Sequence, residues 1–175
     1  MKTKSLLVLA AGLAFSAATM ANTLTYQGVT FNTYALDSDT LKLEILDATS
    51  ATGNWTGVNF LSAFEIKDIG TVTGATITSG SGTFVPTLTD GLAANGIGCT
   101  TGNTPGACFF STPPFSMTNS MSWTIDFTGT GLSFDAPHLK VQFLIDEDQR
   151  KPTGSVLSQP VPEPETYAMM LAGLG

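Results

Sequence analysis

Charge is scarce in this chain, and positive charge is scarcer still. Only 12% of the 175 residues are Asp, Glu, Lys or Arg, about half the usual share. Seven Lys and Arg stand against 14 Asp and Glu, and none of the seven lies between Lys67 and Lys140. A nucleic-acid surface needs a cationic patch to displace counterions from phosphates, so the sequence argues against nucleic acid as a partner. Anionic membrane surfaces are disfavoured on the same ground. Histidine occurs once, as His138, and cysteine twice, as Cys99 and Cys108. A nucleophilic triad needs a base placed beside Ser or Cys with an orienting acid, and no Gly-x-Ser-x-Gly turn accompanies that one base. A zinc site needs three or four ligands. The sequence therefore supplies no catalytic set, no metal set and no cofactor motif. Apolar residues at helical spacing over three turns are missing from residue 22 onward. Disorder is excluded as well, because 42% of the chain is hydrophobic.

Hydroxyl residues fill the space that charge leaves. Thr numbers 27 and Ser 14, together 41 of 175 residues, and Gly adds 18. Thr, Val, Ile and Phe suit pleated strands, and Gly suits tight turns. Several stretches alternate apolar and polar residues at period two. Leu41, Leu43 and Ile45 oppose Lys42 and Glu44. Phe64 and Ile66 oppose Glu65 and Lys67. Trp123, Ile125 and Phe127 oppose Ser122, Thr124 and Asp126. Leu139, Val141, Phe143 and Ile145 oppose Lys140, Gln142 and Leu144. Weaker strand candidates are 24–35, 70–78, 83–85, 107–111 and 155–159. Gly53-Asn54, the run Ser79-Gly80-Ser81-Gly82, Asp90-Gly91 and Gly129-Thr130-Gly131 punctuate them as turns. The expectation is an all-β fold, an antiparallel β-sandwich of jelly-roll-like kind with eight or nine strands, spanning 22–159. Residues 87–120, apart from the strand candidate 107–111, read as a long surface excursion pinned by a bridge between Cys99 and Cys108. Residues 146–154 read as an exposed hairpin connection.

The two ends read as addresses. Two lysines, an apolar run Ser5–Phe15 and a small-residue end form a secretory signal peptide over 1–21. Cleavage between Ala21 and Asn22 fits small residues at Thr19 and Ala21; Ala18 is the alternative site. Loss of Lys2 and Lys4 leaves 5 positive and 14 negative residues. At the other end, Val161-Pro162-Glu163-Pro164-Glu165-Thr166-Tyr167 precedes an apolar Ala-Met-Met-Leu-Ala-Gly-Leu-Gly run. Pro162 and Pro164 bias this segment to an extended form that suits a peptidase groove. It resembles the PEP-CTERM sorting signal of Gram-negative bacteria. The resemblance implies recognition by exosortase, with cleavage near Pro162, Glu163 and Pro164, after signal peptidase has acted at the N-terminus. It also links such proteins to exopolysaccharide and biofilm material. The family's terminal Arg-rich cluster is absent here, and its transmembrane helix is cut short. Eight residues follow Tyr167, a reach of about 12 Å against a hydrocarbon core of about 30 Å. A fragment and a natural truncation both account for this. Residues 136–160 also resemble the last hairpin of small secreted proteins of that family, which carries no assigned activity.

Cys99 and Cys108 are close in sequence, flank a Pro105-Gly106 turn and occur in a chain read as exported, so they are expected to form a disulfide. Trp123 belongs to a core stripe. Trp55, framed by Gly53, Asn54 and Gly57, is the ligand-contact candidate. The carboxylate groups at Asp37-Asp39 and Asp146-Glu147-Asp148 read as solvated turns. Three functions follow as expectations. The first is a non-enzymatic exported envelope or matrix protein, at the cell surface or outside the cell, touching the membrane only transiently. The second is a carbohydrate- or matrix-binding module using Trp55 and the 87–120 region. The third is a small secreted hydrolase using an acid such as Asp126.

Overall fold

The computed structural model describes residues 21–89, 91–93, 97–100, 106–150 and 154–157. The chain opens with a hairpin, β1 (Ala21–Tyr26) and β2 (Val29–Ala35). Gln27 and Gly28 join them with φ of 49° and 79°. Positive φ at both turn residues is the type I′ geometry, whose twist matches that of the flanking strands. The stretch 24–35, which alternation alone renders as one strand, is therefore two. β3 (Thr40–Leu46) follows, then two 3₁₀ turns at Ala48–Ser50 and Gly53–Trp55, then β4 (Phe60–Lys67) and β5 (Thr71–Gly80). β6 (Val85–Thr87), β7 (Gly106–Ser116) and β8 (Ser120–Thr130) come next. β9 (His138–Asp146), β10 (Gln149–Arg150) and β11 (Gly154–Leu157) close the described chain.

These strands form two antiparallel sheets packed face to face, an all-β sandwich. The first has the order β1-β2-β3-β8-β5; the second runs β10-β9-β4-β7-β6, with β11 also on β9. The middle of the chain is nested. β4 pairs with β7 in the second sheet while β5 pairs with β8 in the first. The 146–154 connection turns β9 back on itself through β10 and β11, and Asp146, Glu147 and Asp148 are exposed there.

Alternation explains the core. Leu41, Leu43 and Ile45 of β3 and Met121, Trp123, Ile125 and Phe127 of β8 point inward from the first sheet. Phe64 and Ile66 of β4, Phe109 of β7 and Leu139, Val141 and Phe143 of β9 meet them from the second. Phe64 stacks on Phe109 at 4.8 Å between ring centroids and reaches Trp123 across the sandwich at 4.7 Å. Each such buried side chain contributes roughly 1.5–3 kcal/mol of hydrophobic stabilisation. The Trp123 indole N–H donates to the Ser81 carbonyl at 2.8 Å, so its one polar atom is satisfied inside. Asn22 anchors β1 by donating from Nδ2 to the carbonyls of Phe134 and Asp135.

The strand candidate 107–111 is a strand and runs on through 112–116, which departs from the surface excursion expected of the rest of 87–120. Residues 106–116 form β7, an interior strand of the second sheet between β4 and β6. Ala107, Cys108 and Phe109 are all fully buried, so no alternation shows on them.

Candidate functional site

The two outer faces of the sandwich are built differently. On the first sheet, β2, β3 and β8 turn Thr30, Asn32, Tyr34, Lys42, Glu44, Ser122, Thr124 and Asp126 away from the core, in paired register. Neighbouring hydroxyls and amides bond across strands. Thr23 Oγ1 donates to Asn32 Oδ1 at 2.8 Å, Thr25 and Thr30 share a hydrogen bond at 3.1 Å, and Thr40 Oγ1 donates to Asp126 at 3.1 Å. Glu44 is the polar centre of this face. It takes a salt bridge from Lys42 Nζ at 2.7 Å and a hydrogen bond from the Tyr34 hydroxyl at 3.1 Å. The Lys42 bond holds the Glu44 carboxyl below its ordinary value, and the same bond raises the Lys42 ammonium. Burial, with help from Glu44, pushes the Tyr34 phenol up.

At the β2–β3 turn, Asp37 Oδ1 accepts the backbone N–H groups of Asp39 at 3.0 Å and Thr40 at 2.7 Å. The Asp39 backbone bond leads in lowering Asp37, and the hydrogen bond to Asp37, then its charge, raises Asp39. Opposed shifts of this kind mark acid–base pairs in enclosed sites. Here both groups are exposed on a turn, and the bonds are those of a local Asx turn. Asp126 lies close enough for its charge to raise Asp39 further.

On the second sheet the outer face is covered. Register puts Ala63, Glu65 and Lys67 of β4 beside Phe110, Cys108 and Gly106 of β7, and beside Gln142, Lys140 and His138 of β9. Cys108 bonds to Cys99, as its sequence spacing suggests. Because Cys108 points outward between Ala107 and Phe109 of the core, this bond draws the 97–100 stretch over the sheet. Gln142 fastens it there. Its Oε1 accepts the Gly98 N–H at 2.7 Å and the Ser62 hydroxyl at 2.6 Å, and its Nε2 donates to the Ala93 carbonyl at 3.3 Å. The segment is cross-braced by Thr89 Oγ1 on the Thr100 carbonyl at 2.6 Å and by a bridge between Leu92 and Cys99. Beneath it Ser62, Glu65 and Gln142 have no exposed surface. Lys140 Nζ reaches Glu65 Oε2 at 3.2 Å from a position still open to solvent. At the end of this face His138 Nδ1 lies 3.2 Å from Asp68 Oδ2. Burial, the larger influence, holds the imidazole below its ordinary value although Asp68 acts to raise it.

Trp55 requires a correction. It is 1% exposed and presents no face to a ligand. The second 3₁₀ turn tucks its indole into the core, where it meets Tyr26 at 5.1 Å, Phe31 at 6.0 Å and Phe143 at 5.0 Å, all edge-on. Its backbone N–H donates to Gln27 Oε1 at 3.0 Å. The flanking glycines read as a turn, which is right for the backbone and wrong for the side chain. Gln142 and Ser62 were not singled out from the sequence. Nothing in local spacing marks these two residues, because the groups that bury them lie more than forty residues away in sequence.

The structure brings Cys99 and Cys108 together and puts Asn22 inside β1. Asp126 stands exposed on the first outer face, away from Trp55 in the core. Pro162, Glu163 and Pro164, and the signal-peptide residues before Ala21, lie outside the described residues. Among the described residues, no group of three or more His, Cys, Asp and Glu is placed to hold a metal ion, and no helix is long and apolar enough to cross a membrane. No protein-family model matches the chain, and no curated protein is similar to it. The disulfide is the mark of an oxidising compartment.

Proposed function

We propose that this chain is an exported bacterial envelope or extracellular-matrix protein with a structural, non-enzymatic role. Signal peptidase would act between Ala21 and Asn22, and exosortase near Pro162, Glu163 and Pro164, with the membrane touched only in transit. The observation that carries the reading is the open face of the first sheet, a Thr-, Ser- and Asn-rich surface on a disulfide-stapled sandwich. Such a polar surface, with Lys42 and Tyr34 tied to Glu44, stays hydrated beside neutral polysaccharide. The burial of Trp55 weakens the alternative of a carbohydrate-binding module built on that residue. The exposure of Asp126 on a flat face weakens that of a hydrolase, since glycoside chemistry needs two carboxyls flanking one cleft.

Mass spectrometry of the protein recovered outside the cell tests the proposal. A new N-terminus at Asn22 and a new C-terminus near Pro162 are expected, the second one lost in a strain without exosortase. An intact Met1 on extracellular protein contradicts export by this route. Tight, saturable binding to one glycan on an array would replace the structural reading with the binding one.

A further inference from the structure

The two long sides of the sandwich differ in charge. Between Asp68 and Asp126 the sequence has one charged residue, Asp90. That stretch supplies β5, β6 and β7. β5 is an edge of the first sheet, β6 is an edge of the second, and they lie together on one side of the molecule. The opposite side, where β1 approaches β11, carries the exposed Asp146, Glu147 and Asp148.

β5 is ten residues long and among the described residues pairs only with β8, so one row of its backbone N–H and C=O groups faces away from the sheet. Edge strands are normally blunted by brevity, proline, charge or bulges. β6 has three residues and includes Pro86, and β10 has two residues and a register shift. β5, with the sequence Thr-Val-Thr-Gly-Ala-Thr-Ile-Thr-Ser-Gly, has neither charge nor proline. Its two register shifts, between Val72 and Gly74 and between Ile77 and Ser79, leave Gly74–Ile77 regular. Beside it Val85 and Leu88 are exposed, at 52% and 47%. A groove of about 580 Å³, lined by Val85, Phe110, Pro113, Pro114 and Phe115, opens next to them.

We propose that β5 is a self-association edge, at which two copies pair β5 to β5 antiparallel about a twofold axis and join their two five-stranded first sheets. A second copy is the occupant that the charge distribution favours. Two chains of net charge −7 repel wherever their acids face each other; β5 carries none, and Asp126 lies one strand inside the edge, opposite Thr76. Antiparallel pairing of a strand with itself satisfies both rows of backbone groups through one self-complementary patch. The proposal is independent of export and of processing at either end.

Sedimentation velocity on the full chain, from about 1 µM to about 1 mM, with amide exchange of β5 at both limits, provides the test. The expected result is a dimer that grows with concentration and with added salt, which screens the residual repulsion. Exchange at Thr71–Gly80 should slow as the dimer forms. The double variant Thr76→Lys and Thr78→Lys places like charges opposite each other and should weaken dimerisation at least about tenfold. Thr25→Lys, the same charge change at the β1 edge, should leave it within about twofold of the unmodified chain, and near-UV circular dichroism confirms that each variant is folded. A chain that stays monomeric throughout overturns the proposal, as does association that the β5 lysines do not weaken or that leaves β5 exchange unchanged.

Discussion

A Lys–Glu pair lies on each outer face of the sandwich, and the two differ in exposure. Lys42 and Glu44 meet at 2.7 Å on the open face, with 37% and 22% of their side chains exposed. Lys140 and Glu65 meet at 3.2 Å on the covered face, where Glu65 has no exposed surface. The pleat is the same on both sheets, and both glutamates alternate with core residues. What separates them is the cover on the second sheet, where the Cys99–Cys108 bond and Gln142 hold residues 97–100. The lesson is that the environment of a polar residue on a strand is set as much by what crosses its face as by its register.

Removing the lysine from each pair should separate the two faces by the largest margin. Lys140→Met takes the Lys140 ammonium away from the buried Glu65 carboxylate and should cost about 3 kcal/mol. Lys42→Met, on the open face, should cost less than about 1 kcal/mol. Urea denaturation of the two variants checks both values, and equal losses would mean that the second face is not closed. The next effect is that of the cover itself. Converting Cys99 and Cys108 to alanine should remove about 2–3 kcal/mol in the chain-entropy estimate for a loop of this size, read from the denaturation midpoint under the same conditions. The smallest effect concerns pH. Glu44 is held below its ordinary value in the folded protein, so the unfolded state binds the extra proton as pH falls. Its contribution is therefore complete above the ordinary carboxylate range and lost as pH drops through the folded value. Unmodified protein should lose slightly more stability than Glu44→Gln between neutral and acid pH, and parallel pH curves for the two would show that the pair contributes nothing.

The sequence made the half-buried strands legible because solvent contact on one face preserves alternation. Leu41–Ile45, Ser122–Phe127 and Leu139–Phe143 are strands in the expected orientation for that reason. Where both faces are buried the signal fades. β7 carries Ala107, Cys108 and Phe109 with no exposed surface, and its continuation through Pro113 and Pro114 looks like a loop. The disulfide was legible from spacing, and its consequence for the second face was not. Gln142 belongs to β9, while Ala93 and Gly98, which bury it, are more than forty residues earlier. Trp55 failed for a related reason, since turn residues report the path of the backbone and not the direction of the indole.

One face of the sandwich is closed by a disulfide-held segment while the other stays open. Amide exchange of Gly98, followed in the oxidised and the reduced protein, tests this difference most directly. The Gly98 N–H is buried and donates to Gln142 Oε1 at 2.7 Å, so it should exchange slowly with the disulfide intact and much faster after reduction, while the Leu41–Ile45 amides stay protected in both. Fast exchange at Gly98 in the oxidised protein would contradict the account.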